Sequence, residues 1–334
     1  MSFFNKEGYI EGLRKNLKVD NALGFEQMAT TLTQIMDGVQ ETKYYELLGT
    51  PLTEYVPIEM SKGAFSTNLL QFQVQPTATN FKTGLVQPGN GINKDATVDI
   101  KVDAVTIKNH FWRKKYTVTN EIVNMAAVNN ETFSYIEELE KARYLDYRLG
   151  IQDAVFLGVD KDGKGLLNQE NITVNTSLLT DDLTKLSIAE MTKFAKEAIN
   201  TYLVNNNTTV KPNRWLIPTS DAVALGAPFN PEFPIKTIRE VLEEAFNKVT
   251  QNDFKIVDAT YCDNAGASGT AARHVLYNCH PDSLTMYIPK PYTPHPLYPA
   301  GALDLVSDAE AQFTGVWVKR PKEMLYIDVT KSST

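Results

Sequence analysis

Two alternating apolar runs, separated by a polar and glycine-bearing stretch, constrain this chain more than any other feature. Leu70-Gln-Phe72-Gln-Val74-Gln alternates with period two, and so does Val98-Asp-Ile100-Lys-Val102. Such spacing marks strands with one apolar face. The residues between them, 77–97, include Gly84, Gly89 and Gly91. The apolar phase then slips to Val105 and Ile107, which predicts a bulge. Together, residues from about Phe65 to Thr117 predict a long two-stranded excursion with a loose tip. A lone hairpin of that length is marginal in water. Its apolar side therefore requires a partner outside its own domain.

The rest of the chain is long enough to supply a core. At 334 residues it fits one large globular unit or two interleaved domains. The net charge of −7 argues against a nucleic-acid binder that works through bulk positive potential. It suits a protein that stays soluble when crowded. The start, Met1-Ser-Phe-Phe-Asn-Lys-Glu-Gly8, has no apolar segment of a secretory signal. No stretch approaches the roughly 18 apolar residues of a membrane span. The expected compartment is a cytoplasm, and Asn171-Ile-Thr173 then carries no glycosylation meaning. Two cysteines, Cys262 and Cys279, make no disulfide framework. Both fall in apolar runs that read as strands around a turn at Gly266 to Gly269. A simple hairpin there places Cys262 opposite Arg273, so both read as buried thiols.

Element by element, residues 1–60 read as a partly helical arm, with Met28 to Met36 helical and Pro51 and Pro57 as breakers. A long helix is predicted near 133–158. Ile136, Leu139, Ala142, Leu145, Leu149 and Phe156 recur at three- and four-residue steps, and about 22 helical residues span roughly 33 Å. Gly158 is its stop, a polar turn follows at Asp160–Gly165, and a short strand-rich segment runs from Gly165 through Val174. Ser187-Ile-Ala-Glu190 is a capping box for a helix lined by Met191, Phe194, Ala198, Ile199, Tyr202 and Leu203. Arg214–Ile217 reads as a buried strand, and Thr219-Ser220-Asp221 as the cap of a short helix. Pro234 suits the first turn of another helix with a stripe of Ile238, Val241, Leu242, Ala245 and Phe246. Strands follow at Phe254–Cys262, Arg273–Cys279, Leu284–Ile288, Phe313–Val318 and Met324–Val329. The Pro-rich bridge Pro289–Pro299 reads as extended and solvent-skirting. Blocks of helices and strands make the class α+β.

Catalytic signatures are missing: no G-x-S-x-G elbow, no Walker loop, no H-E-x-x-H. Catalytic, cofactor and metal residues are all expected to be none. The four histidines, His110, His274, His280 and His295, share no helical ligand spacing. Cys262 with Cys279-His280 is the one cluster with zinc-type donors, and the blander reading is a strand residue followed by a strand-end histidine. Asp160-Lys-Asp162-Gly163 resembles the start of a calcium loop but lacks the final carboxylate ligand. Arg113-Lys-Lys115, beside Phe111 and Trp112, reads either as a contact to nucleic acid or an acidic neighbour, or as a solvated strand end flanked by core aromatics. Glu137 and Lys141 suit a helical i, i+4 pair.

The order of these elements resembles the tailed-phage capsid fold of the Hong Kong 97 type, in its encapsulin-like major capsid family. The stretches that carry the resemblance are Tyr44-Tyr45-Glu-Leu-Leu48 through Val56-Pro-Ile58, then Tyr116-Thr-Val-Thr-Asn-Glu121. They continue with Leu157-Gly158 before Gly165-Leu-Leu-Asn168, and with Thr314-Gly-Val-Trp-Val-Lys-Arg-Pro321 to Tyr326-Ile-Asp328. The resemblance implies an N-terminal arm (1–60), an extended β-hairpin loop (61–115), a peripheral domain with a spine helix (116–180 and 301–334) and an axial domain (181–300). It implies a structural, non-enzymatic major capsid protein that self-assembles, as pentamers and hexamers, into an icosahedral head shell around a phage genome. The interface residues it points to are Phe72, Val74, Phe81, Lys82, Leu85, Lys94, Trp112 and Arg113. Lys82 or Lys94 fits a crosslinking role, though no motif surrounds either.

The implied partners are other copies of the chain, a portal, a cement protein and a separate scaffolding protein, since the sequence begins with a short arm and no long charged segment. DNA is enclosed without sequence-specific binding, and the negative charge fits a lumen that grips it loosely. Assembly is expected in the host bacterial cytoplasm and residence in the virion. The alternatives are an encapsulin-type nanocompartment shell, or an α+β hydrolase with dispersed acidic residues.

Overall fold

Continuous apolar runs become strands covered on both faces, and striped runs become helices covered on one. The computed structural model describes residues 48–60, 66–76, 100–119, 121, 135–160 and 164–329, apart from positions 231, 233, 252, 267, 268, 270 and 302. The described residues belong to one compact unit, Leu47–Thr334. Residues 1–47 of the expected arm lie outside them.

A five-stranded sheet forms the centre. Its order is β4 (Thr173–Asn175), β13 (Met324–Val329), β7 (Ala272–Tyr277), β5 (Arg214–Pro218), β6 (Lys255–Ala259). All six residues of β13 are buried. Met324 and Tyr326 enter one core, Leu325 and Ile327 the other, as the two-residue strand period demands. β13 comes from the stretch expected in the peripheral domain. It pairs antiparallel with β7 of the expected axial stretch, so the last strand ties the two together.

The second core is closed by two amphipathic helices, α2 (Ile188–Asn205) and α4 (Ile238–Thr250). Both begin in full capping boxes, Ser187 with Glu190 and Thr237 with Glu240, which satisfy orphan backbone donors. Phe194, Ala198 and Tyr202 of α2 and Leu242 and Phe246 of α4 pack onto Trp215, Ile217 and Leu276. Between them a short helix, α3, runs Thr219–Leu225. Pro234 lies before α4, not in its first turn, because Thr237 is the residue that caps it.

The first core is built on α1 (Tyr135–Phe156), the predicted long helix. Its inward residues are Arg143, Tyr147, Ile151, Ala154 and Val155. Of the expected stripe, Phe156 is buried in this core, whereas Ala142 and Leu145 are exposed, so periodicity found the core face only in part. Burial of Arg143 is the reason. Its guanidinium donates to Ser307 O at 2.8 Å and Ser307 Oγ at 3.1 Å, and pairs with Glu140. It also lies 4.5 Å over the Tyr116 ring, so a charge holds the centre of the buried face. On the outer side Lys141 meets Glu138 at 2.6 Å.

A second five-stranded sheet contains β3 (Ile100–Thr119), β2 (Asn68–Pro76), β11 (Asp304–Thr314), β10 (Tyr298–Pro299) and β9 (Lys290–Pro294). The Pro-rich bridge is thus not free: β9 and β10 both pair with β11, and prolines are tolerated on such edges. β11 starts nine residues before the expected Phe313 (313 against 304). A three-stranded sheet, β1 (Ile58–Met60), β8 (Leu284–Ile288) and β12 (Val316–Val318), completes the fold.

Three further expectations change. Gly165–Ile172 is turn and loop, and only Thr173–Asn175 pairs as a strand. Gly165 itself lies so close to the end of α1 that a Cβ would meet the Phe156 carbonyl carbon at 2.4 Å. β6 stops at Ala259, and Cys262 sits in a 3-10 turn, Thr260–Asn264. β5 separates β6 from β7, so the hairpin drawn around Gly266 does not form. Cys262 is buried and Cys279 half-buried; burial pushes the Cys262 thiol up.

Candidate assembly surface

The hairpin is where sequence and fold ask for a partner. β3 runs unbroken for 20 residues, about 66 Å at the usual strand rise. Its halves have different neighbours. Residues 109–119 pair with β11, and residues 100–108 pair with β2. Register is continuous from Leu69↔Ile107 to Pro76↔Ile100, so the predicted bulge is absent. The phase slip has another cause: at the base, Ile107 is buried on one face, whereas further out the apolar residues occupy the other.

That outer face is set by register. Directly opposed residues share a side, which places Leu70, Phe72 and Val74 with Thr106, Ala104 and Val102. It is the side that carries His110, Trp112, Tyr116 and Val118 further along the same strand. There α1 covers it: Trp112 lies 5.5 Å from Tyr147 ring to ring, and Lys114 reaches Asp146 at 2.8 Å. The cover ends with the helix. Lys108 meets Asp160 at 2.9 Å just beyond it, and past this point Leu70 and Val102 are each 59% exposed. Asn109 pins the base, donating from Nδ2 to Ser66 O at 2.7 Å and to Gln312 Oε1 at 3.3 Å.

Of the expected interface residues, Phe72 and Val74 lie in β2, in register with Ala104 and Val102. Phe81, Lys82, Leu85 and Lys94 lie outside the described residues. Trp112 faces inward, half-buried against Tyr147 and Tyr292. Phe111 is not a core aromatic; it is 56% exposed on the opposite side. Arg113 is exposed beside Glu310. Leu70 and Val102 were not singled out as interface residues, although they keep the phase of Phe72 and Val74.

A groove of about 490 Å³ opens between residues 48–60, α1 and the β8–β9 turn. Leu52, Ile58, Tyr144, Tyr147 and Ile288 line it, with Arg148 as the charged residue. Burial pushes the Tyr147 hydroxyl up to about 12, and that of Tyr292, which also hydrogen-bonds Glu140, to about 12. Among the described residues no cluster of His, Cys, Asp and Glu could hold a metal ion. None of their helices is long and apolar enough to cross a membrane.

A family model described as the major capsid protein matches residues 89–329. Among solved structures, the capsid of Myoviridae phage XM1 aligns with a TM-score of 0.71 at 15% identity, over 90% of this chain and 98% of that one. The chain of Microbacterium phage Oxtober96 aligns at 0.55 and 13% identity, over 92% and 99%. The virus-like particle from Pyrococcus furiosus aligns at 0.52 and 16% identity, over 84% and 92%. No curated protein matches the sequence. At these identities the solved structures show a shared fold, and the family match spans the long strand, α1 and the central sheet. The chain belongs to the major capsid protein family and is a structural protein of a capsid shell.

Proposed function

We propose that many copies of this chain close into an icosahedral phage head, with the hairpin of each copy laid against a neighbour. The observation that carries this reading is the outer half of β2–β3, whose apolar face outruns α1 and leaves Leu70 and Val102 open. Burying such a side chain is worth roughly 2 kcal/mol. One contact of this kind is weak, but closed symmetry repeats it at every subunit. Phe72 and Val74 extend the same face, and Phe81, Lys82, Leu85 and Lys94 belong to the loop beyond it. Trp112 acts by anchoring β3 to α1, and Arg113 faces outward.

In this reading residues 1–60 are an arm, 61–115 the extended loop, 116–180 and 301–334 the peripheral domain, and 181–300 the axial domain around five- and six-fold positions. The shell encloses DNA, is assembled in the host bacterial cytoplasm with a scaffolding protein and portal, and accepts a cement protein outside. Light scattering and negative-stain microscopy of the purified protein test it. Shells, rings or sheets are expected; a monomer at every salt and protein concentration would overturn it.

A further inference from the structure

We propose that Phe111, Arg113 and Lys115, a row on the outward face of β3, form a docking site for carboxylates of a second copy of this chain. The inference rests on the shell reading above and specifies the chemistry of one contact within it. The three residues stand at i, i+2 and i+4 of one strand and so share a face. It is the face opposite Trp112 and Tyr116. All three are exposed.

The unspent donors are on Arg113. Its side chain is 74% exposed, and its one ionic contact among the described residues is Glu310 Oε2 at a loose 3.6 Å. None of its five N–H groups makes a hydrogen bond among the described residues. Glu310 is already committed elsewhere. Its Oε1 takes Lys290, and His295 Nε2 at 3.2 Å. Those hydrogen bonds, Lys290 first, hold the carboxyl below its ordinary range. Asp308, in register with Lys115, accepts from the Tyr298 hydroxyl. Two engaged carboxylates thus face the cations of Arg113, Lys115 and Lys290, which leaves a local positive excess.

That excess sits on a chain with 40 Asp and Glu against 33 Lys and Arg, so a second copy is the partner with charge to match. A guanidinium offers a planar fork to a carboxylate. Lys115 adds a point charge about 7 Å along the strand, and Phe111 gives an apolar shoulder that excludes water. Two or three cations are few for nucleic acid, whose binding draws on many phosphate contacts.

The test uses the full chain in nucleic-acid-free buffer, with assembly followed by light scattering and folding by thermal unfolding. Three variants are compared with the parent: Arg113→Glu with Lys115→Glu, the milder Arg113→Gln with Lys115→Gln, and Glu310→Gln. The charge reversal should fold like the parent yet lose assembly by more than about tenfold, because like charges then meet across the contact. The glutamine pair should lose less, and Glu310→Gln should assemble at least as well as the parent. If the reversed pair misfolds, the glutamine pair decides by the same readout. Normal assembly by the charge variants would overturn the inference and leave the shell reading standing. So would equal losses in Glu310→Gln and the charge variants, which would make Arg113–Glu310 an internal strut. A defect confined to DNA retention in closed shells would assign the row to nucleic acid and overturn it too. A parent that never assembles would overturn the shell reading and this inference with it.

Discussion

Lys108 on β3 meets Asp160, just past the end of α1, at 2.9 Å. This ion pair marks the point at which the long strand leaves the cover of its own helix. Inside it, Trp112, Tyr116 and Val118 have α1 and the core to pack on. Outside it, the same face carries Leu70 and Val102 into solvent.

The interior contains a charge pair that should be costly to break. Arg273 Nε and Nη2 reach Asp328 Oδ1 and Oδ2 at 2.7 and 2.8 Å, and Asp328 is buried. Arg273→Met leaves that carboxylate without its partner. Urea unfolding should show a loss of about 3–5 kcal/mol, and a loss under about 1 kcal/mol would contradict the role given to the pair.

Gly165 occupies a site with no room for a side chain. An added Cβ would meet Phe156 C and O at 2.4 Å and Gly158 N at 2.5 Å, all backbone atoms that cannot yield. Gly165→Ala should destabilise by about 1–3 kcal/mol or more, read as a fall in thermal midpoint. Gly150→Ala, where nothing lies within 4 Å, should not, and serves as the control.

Burial sets an alkaline limit. Tyr55, Tyr147 and Tyr261 are each pushed up to about 12, chiefly by desolvation. A hydroxyl whose folded value lies above its unfolded one gives stability that is whole below about pH 10 and lost as pH rises through 12. Ultraviolet titration should show a late tyrosine class that ionises only as the fold opens. Ionisation of all tyrosines near pH 10 with the fold intact would contradict this.

Much of the fold was legible because local signals agreed with tertiary ones. The capping box at Ser187, the run Met324–Val329 and the long helix each state their structure in a few residues. The misreadings share a cause: a partner distant in sequence decided the outcome. β9 became a strand because β11 offered it an edge. Ala142 and Leu145 lost the core face to Arg143, whose partners Ser307 and Tyr292 no local pattern links to it. At the hairpin, the alternation of Phe72 and Val74 marked the strand, but the switch of apolar side at Val105 read as a bulge. The position of the α1 terminus explains the switch: Ile107 packs at the base, whereas Leu70 and Val102 lie beyond the helix.

The most direct test of the shell account replaces the open face of the hairpin. Leu70→Asp with Val102→Asp changes exposed residues, so thermal unfolding of the subunit should move little, by about 0.5 kcal/mol or less per site. Negative-stain microscopy of the same samples should show shells or capsomer-like rings for the parent and dispersed subunits for the double variant. Closed shells of the double variant at the parent's yield would contradict the claim that this face joins one subunit to the next.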